Sequence, residues 1–309
     1  MEGPLSPPAT SRRIALLLAY DGRDFSGWQV QPNRRTVQGT LGEALATLCR
    51  APVGVTGSGR TDAGVSAWGQ VAHADLPDGF SIPVDRLPRI LNTRLPGSLR
   101  VLDCRSVSSS FHARHSARGK IYRYVFRHLP ASLSHHPLAT PFSAPLPPNF
   151  FLPRAREAST FFLGTHDFRH FSVASSLPDD STRRIDGILW EERRAELILW
   201  VTGPGFLHKM VRMIGGYLLE AGEGRRPLEE IPALLRKGAP PPFRAVEPLP
   251  PDGLALARVL YDNDPFDPRT QTCYPSPHVA PDLPPAKGGT DSHGYPLRHL
   301  SKLNEDRRQ

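Results

Sequence analysis

Short apolar runs and amphipathic stretches follow one another along most of this chain. The run Ile14–Tyr20 ends at Asp21-Gly22, a turn signal, and this pattern predicts a buried strand. Thr36 is placed to cap a helix that extends to about Cys49. At about 100° per residue, the apolar positions of that helix share one face: Val37, Leu41, Ala44, Leu45 and Leu48.

The rest of the pattern predicts a mixture of strands and helices. Further strands are expected near residues 52–56, 69–75, 99–103, 120–126, 185–191, 196–201 and 254–261. Further helices are expected near residues 84–95, 154–163, 206–221 and 228–236. Because the order lacks a regular βαβ alternation, we predict an α+β fold with a mixed or antiparallel sheet flanked by helices. Each half has strands followed by an amphipathic helix, which suggests two similar lobes.

Composition divides the 309 residues into five segments. Residues 1–11 are rich in proline and serine and are expected to form a flexible tail. An N-terminal lobe is predicted over 12–127, a proline-rich surface loop over 128–150, and a C-terminal lobe over 151–261. Residues 262–309 have few aliphatic side chains, so we predict a disordered proline-rich tail.

The charge of the folded body favours a polyanionic partner. The formal net charge of the chain is +8. Residues 1–11 and 262–309 each have a net charge of −1, so residues 12–261 carry about +10. An excess of this size makes nucleic acid the first candidate partner.

The cysteines and the apolar runs indicate a cytoplasmic protein without a membrane segment. The three cysteines are widely spaced and odd in number, which favours reduced thiols over a disulfide framework: Cys49, Cys104 and Cys273. The longest apolar run, 14–20, is too short to cross a bilayer, and the N-terminus lacks the pattern of a secretory signal.

The stretch Gly57–Gly64 places one carboxylate, Asp62, between glycines and close to Arg60. Glycines let such a loop bend tightly and approach another molecule, and Arg60 would favour the ionised form of Asp62. The carboxylate could therefore act as a nucleophile or a base. A surface turn that merely tolerates left-handed geometry is the structural alternative.

Five groups of motifs occur in a distinctive order. They are Tyr20-Asp21-Gly22 with Phe25-Ser26-Gly27-Trp28-Gln29 and Thr36-Val37-Gln38; Gly59-Arg60-Thr61-Asp62-Ala63-Gly64-Val65 with Gly69-Gln70-Val71 and His73; Phe111-His112-Ala113-Arg114 with Tyr122-Arg123-Tyr124; Gly164-Thr165-His166-Asp167-Phe168; and Gly205-Phe206-Leu207 with Met210-Val211-Arg212. In order and spacing they resemble the tRNA pseudouridine synthase A (TruA) family across roughly residues 14–261.

The resemblance implies an activity and a set of site residues. The implied reaction is the isomerisation of uridine to pseudouridine at positions 38–40 of the tRNA anticodon stem-loop, in a pseudouridine synthase fold with a central RNA-binding cleft. Asp62 matches the catalytic aspartate, and Tyr122 matches the tyrosine that stacks on the target base and is a candidate for proton transfer. Arg212 matches the arginine that pairs with the aspartate, and Arg60 matches one implicated in base flipping.

The partners implied are tRNA and a second copy of the chain, as a homodimer. The reaction involves no redox or group transfer, so we expect no cofactor. The predicted substrate-binding residues are Tyr122, Arg114 and Arg118, and further arginines are reasonable phosphate contacts: Arg12, Arg13, Arg34 and Arg35. His112 and His115 lie three apart without a cysteine cluster, so we predict no metal site.

Structural alternatives stay open for two of these residues. Tyr122 could be an ordinary half-buried strand residue. Arg212 points away from the apolar arc of its helix, which is typical of a solvated face and equally of a cleft-facing arginine. Three positions depart from the usual motif, and they bear on secondary RNA contacts rather than on the reaction: Ser66, His115 and Met213.

Three other functions compete with this interpretation. An inactive RNA-binding relative would bind tRNA without modifying it, and an active synthase could act on other uridines. A hydrolase using Asp62 would need a second acid or base, and none is evident nearby in the sequence.

Overall fold

The computed structural model describes residues 12–129, 142–193, 196–242 and 245–267. The predicted tail at 1–11, the middle of the predicted loop at 128–150 and nearly all of the predicted tail at 262–309 lie outside the described residues. The chain forms two compact units. The first unit contains the described residues up to Arg118 and those from Ala255 onward, and the second contains Gly119–Leu254.

Eleven strands and five α-helices are found in the described part of the chain. The strands are β1 (Arg12–Tyr20), β2 (Val55–Gly57), β3 (Ser66–Leu76), β4 (Leu99–Ser106), β5 (Ala117–Arg127), β6 (Ala144–Pro145), β7 (Gly164–Asp167), β8 (Thr182–Ile185), β9 (Gly187–Arg193), β10 (Glu196–Gly203) and β11 (Leu254–Tyr261). The helices are α1 (Val37–Cys49), α2 (Leu87–Asn92), α3 (Leu152–Thr160), α4 (Met210–Gly222) and α5 (Glu230–Leu234).

The first unit is a mixed sheet with its strands in the order β4-β1-β3-β11. β1 lies antiparallel to β3 and β4, whereas β11 runs parallel to β3, with Ala255 opposite Ser66. β2 adds to β3 in antiparallel register. Side chains of the strands and of α1 and α2 form a core of fully buried leucines: Leu16, Leu18, Leu41, Leu45, Leu87 and Leu91.

Helix α1 agrees with the sequence pattern in both position and cap. Thr36 is extended, and its Oγ1 accepts a hydrogen bond from the Gly39 N–H at 3.3 Å. This bond satisfies one of the N–H groups that a helix leaves without a partner in its first turn. Arg50 adopts a left-handed conformation with φ 52° and ends the helix. The predicted cap and the predicted apolar face are confirmed.

The second unit contains an antiparallel sheet in the order β5-β10-β9, with β6 parallel to β5. Tyr122 lies opposite Val201 and Tyr124 opposite Leu199 in the β5–β10 register. Helices α3 and α4 pack against each other. β7 and β8 form a separate two-stranded sheet. Mixed sheets and few helices in both units confirm the predicted α+β class.

Three predicted elements were wrong in their limits. The helix expected near residues 84–95 is a 3-10 turn at Val84–Arg86 followed by the short helix α2. The helix expected from Phe206 begins only at Met210, because Lys209 has φ 59°, a left-handed conformation that a helix cannot include. The single strand expected near 185–191 is two strands, since β8 ends at Ile185 and β9 begins at Gly187. Among the described residues, no helix has both the length and the apolar character needed to cross a membrane.

Candidate active site

Asp62 lies in the loop between β2 and β3 of the first unit. Its side chain is half-buried, and it follows the buried Thr61 and precedes the exposed Ala63. The Asp62 carbonyl accepts a hydrogen bond from the Val65 N–H at 3.1 Å, which closes a tight turn. Gly64 occupies that turn with φ 80°, a conformation that favours glycine. The loop therefore presents one carboxylate at the boundary between core and surface.

The Gln70 side-chain amide on β3 holds the start of the Asp62 loop. Gln70 is completely buried on β3. Its Oε1 accepts a hydrogen bond from Ser58 Oγ at 2.6 Å, and its Nε2 donates to the Gly59 carbonyl at 3.0 Å. The Ser58 N–H donates to the Val71 carbonyl at 2.8 Å. The start of the loop is thus fixed to β3 through side chain and backbone together.

Tyr20 and the segment that ends at Trp28 fix the other side of the loop. The Tyr20 hydroxyl lies 2.9 Å from Thr61 Oγ1, and the Trp28 N–H donates to the Thr61 carbonyl at 3.1 Å. Burial raises the pKa of Tyr20 to about 12, so its hydroxyl stays protonated at neutral pH. Gly27 has φ 92°, and a Cβ at this position would lie 2.8 Å from the Thr61 carbonyl oxygen.

These contacts give the first motif group a structural role. Phe25 and Trp28 are buried in the core. Gly57 lies against the Trp28 indole, where a Cβ would come within 2.5 Å of the ring. The motifs around Tyr20 and around Asp62, about forty residues apart, together build one supported loop. Sequence reasoning identified both motifs but not the hydrogen bonds that hold the loop. The sequence signal for these bonds was the presence of hydroxyl and amide side chains beside glycines.

Tyr122 lies on β5 of the second unit and is 7% exposed. Its ring meets the Phe206 ring edge-on, with the centroids 5.2 Å apart at 86°. Edge-to-face pairs of this kind hold an aromatic ring in a defined orientation. The Tyr122 ring is therefore buried on the strand and held by the segment just before α4.

Arg212 lies in the first turn of α4 in the same unit and is 9% exposed. Its Nε donates a hydrogen bond to the Leu249 carbonyl at 2.7 Å, and the Leu249 N–H donates to the Arg212 carbonyl at 3.1 Å. The alternative of a solvated helix face was wrong for this residue. Leu249, which follows α5 in the chain, covers α4 on the side opposite its apolar face.

The arginines predicted to contact RNA differ in their present partners. Arg60 and Arg114 are exposed in the first unit. Arg118 is exposed and forms an ion pair with Asp262 at 2.6 Å, which a phosphate could replace because surface ion pairs contribute little stability. Three of the four secondary candidates have partners within the fold. The Arg13 side chain bonds Asp75 and the carbonyls of Ser109 and Phe111, Arg12 donates to Ser106 Oγ at 2.9 and 3.1 Å, and the Arg35 guanidinium lies 5.3 Å from the Phe25 ring centre. Arg34 is exposed.

Three histidine rings support the turn that carries Arg114. The His73 and His112 rings lie 4.6 Å apart, and the His112 and His115 rings 4.3 Å apart. His73 Nδ1 accepts a hydrogen bond from the Ala113 N–H at 3.1 Å, and His112 Nδ1 accepts from the Arg114 N–H at 3.1 Å. Burial, followed by the charge of His112, lowers the pKa of His73 to about 4. The His73 ring is therefore neutral at neutral pH, and its Nδ1 acts as an acceptor.

Across the described part of the chain, no three histidine, cysteine, aspartate or glutamate side chains are grouped so as to hold a metal ion. The structure places Asp62, Arg60, Arg114 and Arg118 in the first unit. It places Tyr122 and Arg212 in the second. Each of Asp62, Tyr122 and Arg212 takes part in interactions within the fold.

Comparison with known proteins decides which family these motifs represent. A family described as tRNA pseudouridine synthase matches residues 158–262. A tRNA pseudouridine synthase A from Akkermansia muciniphila is 41% identical over 267 residues, which cover 82% of this chain and 97% of the relative. The chain belongs to the tRNA pseudouridine synthase A family. The resemblance noted in the sequence is confirmed.

Other relatives carry the same name. The tRNA pseudouridine synthase A of Bacillus subtilis is 40% identical, covering 81% of this chain and 100% of its own length, and that of Halalkalibacterium halodurans is 43% identical, covering 72% and 84%. A solved Cbf5-Nop10-Gar1 complex is 11% identical with a TM-score of 0.27, a likeness too slight to carry an argument. Pseudouridine synthases are isomerases, because uridine and pseudouridine contain the same atoms, and the chain belongs to that class of enzyme.

Proposed function

We propose that this protein isomerises uridine to pseudouridine in tRNA, at positions 38–40 of the anticodon stem-loop, with Asp62 as the catalytic carboxylate. The observation that carries the proposal is the match to relatives named tRNA pseudouridine synthase A along 97% and 100% of their lengths. The positive charge of residues 12–261 is in keeping with a polyanionic substrate of this kind.

The chemistry requires a carboxylate on a well-supported loop. The enzyme breaks the glycosidic bond, turns the uracil and rejoins it to the sugar through carbon, and that carbon then loses its proton. A carboxylate can assist by adding to the base, by attacking the sugar, or by removing a sugar proton to form a glycal. Every one of these routes uses the ionised form of Asp62. Because small misplacements of catalytic groups slow reactions strongly, the buried bonds around Ser58 and Thr61 serve the reaction directly.

The remaining site residues receive roles that match their chemistry. A base inside a stem must swing out before an enzyme can reach it, and this unstacking costs a few kcal/mol. Stacking of the base on Tyr122 recovers about 1–3 kcal/mol of that cost. Arg212 is the proposed partner of the Asp62 carboxylate, as the family resemblance implies. Arg60, exposed on the same loop, assists in displacing the base from the stem.

The proposal includes a binding surface and an assembly. Arg114 and Arg118 contact phosphates of the tRNA. The protein acts as a homodimer in the cytoplasm, where its substrate is found. Light scattering during size-exclusion chromatography would return twice the chain mass of 34.1 kDa. A mass of a single chain at micromolar concentration would contradict the dimer without affecting the proposed reaction.

Mapping of pseudouridine in tRNA transcripts tests the function. Unmodified transcripts are incubated with the enzyme, treated with carbodiimide and copied by reverse transcriptase, which stops at modified pseudouridines. We expect stops at positions 38–40 with the wild-type protein and with Asp85→Asn, a control for an exposed carboxylate of the same unit. Asp62→Asn should give none.

The other outcomes assign the protein differently. Stops at other uridines would indicate a synthase with another target. Tight tRNA binding without stops under any condition would indicate an inactive RNA-binding relative. Loss of stops with both Asp62→Asn and Asp85→Asn would show that carboxylate removal acts on folding rather than on the reaction.

A further inference from the structure

Residues 245–250 of the second unit lie across helix α4 and are held at both ends by residues outside that helix. Arg226 donates from a terminal nitrogen to the Ala245 carbonyl at 2.6 Å, and the Tyr124 hydroxyl donates to the Pro250 carbonyl at 2.7 Å. Between these ends the segment exchanges two hydrogen bonds with Arg212 through Leu249. The segment has neither helical nor strand conformation, so these contacts define its path.

Two glycines in α4 allow the segment to lie directly on the helix backbone. A Cβ on Gly216 would lie 2.2 Å from the Glu247 carbonyl oxygen, and one on Gly215 would lie 2.8 Å from Leu249 Cδ1. Glycine in a helix interior costs about 1 kcal/mol relative to alanine. The close approach of residues 245–250 is the physical reason why both positions lack a side chain.

The two anchors are themselves firmly held. Tyr124 is 1% exposed on β5, and a Cβ on Gly253 would press against its ring at 2.6 Å. Arg226 is buried, and its Nε donates to Glu220 at 2.7 Å on α4. The segment is therefore held at Pro250 by strand β5 and at Ala245, through Arg226, by the C-terminal part of helix α4.

The bond to Leu249 determines how the Arg212 side chain is oriented. A guanidinium is planar and its donors have fixed relative directions. Once Nε is directed at the Leu249 carbonyl, the guanidinium can turn only about that bond, which limits the directions open to its two terminal nitrogens. A lysine at this position has no Nε donor of this kind.

We infer that residues 245–250 are a positioning element that aims the Arg212 guanidinium for the isomerisation. Tyr124 and Gly216 act as positioning residues through Arg212, since neither needs to touch the substrate for this role. The inference rests on the proposed function. It adds residues 245–250, which are not among the five motif groups of the sequence analysis.

Steady-state kinetics on tRNA transcripts test the inference, with Tyr124→Phe as the mildest change. This variant keeps the ring and removes only the hydroxyl that bonds Pro250. The matched control is Tyr217→Phe, which removes another buried hydroxyl of the same unit, one that donates to the Pro227 carbonyl at 3.0 Å and to Glu230 Oε2 at 3.2 Å rather than to residues 245–250. This variant keeps the ring that lies 5.2 Å from the Arg226 guanidinium. We expect Tyr124→Phe to lower kcat several-fold at unchanged KM, and Tyr217→Phe to leave both unchanged.

A second variant and a double-mutant cycle separate positioning from general destabilisation. Gly216→Ala should displace the segment by about 1 Å and lower kcat by about 100-fold. In an Arg212→Lys background, which has no Nε bond to lose, Tyr124→Phe should lower kcat no further. Independent structural effects would instead add in the cycle.

The outcomes distinguish this inference from the proposed function. If Arg212→Lys lowers kcat but Tyr124→Phe does not, the positioning role is wrong and the role of Arg212 stands. If Tyr124→Phe and Tyr217→Phe lower kcat equally, the hydroxyls act on stability alone and the inference is wrong. If Arg212→Lys leaves kcat unchanged, the proposed role of Arg212 fails, and the inference fails with it.

Discussion

Replacing Gln70 with leucine removes the buried amide that ties the Asp62 loop to β3. The Ser58 hydroxyl loses its acceptor at 2.6 Å, and the Gly59 carbonyl loses its donor at 3.0 Å. A buried polar group without a partner costs about 1–3 kcal/mol, and the Gly59 carbonyl costs less because it is only partly buried. The free energy of unfolding should therefore fall by about 2–4 kcal/mol.

The same change should slow the reaction more than it weakens tRNA binding. Without the amide, the first half of the loop shifts, and a misplacement of about 1 Å at a catalytic group costs about 100-fold in rate. Phosphate contacts elsewhere on the surface are unaffected, so the KM for tRNA should stay close to that of the wild type. Turnover is measured on tRNA transcripts well below the unfolding transition, and stability by urea denaturation.

Asn92→Leu is the matched control for this prediction. The Asn92 amide likewise makes two hydrogen bonds in the first unit: it accepts from the Val101 N–H and donates to the Val101 carbonyl, both at 2.9 Å. Asn92→Leu should lower stability to a similar extent and leave kcat unchanged. Wild-type kcat in folded Gln70→Leu, or an equal loss of kcat in both variants, would refute the view that the Gln70 amide positions the catalytic loop.

Three further changes have defined outcomes. Gly27→Ala should reduce both stability and turnover, because its Cβ would meet the Thr61 carbonyl at 2.8 Å, whereas Gly54→Ala has open space and should be neutral in urea denaturation and in kcat. The free energy of unfolding should fall by up to about 3 kcal/mol as the pH drops from about 6.5 to about 4, since the unfolded chain binds a proton that folded His73 refuses, and His73→Asn should flatten this dependence in urea titrations. Arg114→Ala should weaken tRNA binding and reduce the slope of log K against log salt by about 1, whereas exposed Arg156→Ala should not; equal slopes for all three proteins would remove Arg114 from the phosphate contacts.

The sequence predicted the elements whose signals are local. Thr36 marked the start of α1 because capping depends on residues within one turn. The apolar run beginning at Ile14 marked β1 for a similar reason, since buried strands need a continuous apolar stretch. The start of α4 was misjudged because periodicity carries no sign of the left-handed φ at Lys209.

The candidate site shows where sequence reasoning stops. The loop of Asp62 was recognisable from its glycines and its charged pair, but Gln70 and Tyr20 support it through contacts between residues 12 and 41 positions apart in the chain, which no spacing rule reveals. The burial of Arg212 was equally hidden. A helical wheel shows which face is apolar, and it cannot show that a distant segment covers the other face through Leu249.

The most direct test of the central claim is the release of tritium from tRNA that carries tritium at carbon 5 of its uracils. This carbon loses its hydrogen whenever it becomes the atom joined to the sugar, so release counts turnovers. We predict release by the wild-type protein and none above background by Asp62→Asn, with equal tRNA affinity for the two proteins. Tritium release by Asp62→Asn at the wild-type rate would contradict the assignment of the carboxylate and with it the proposed mechanism.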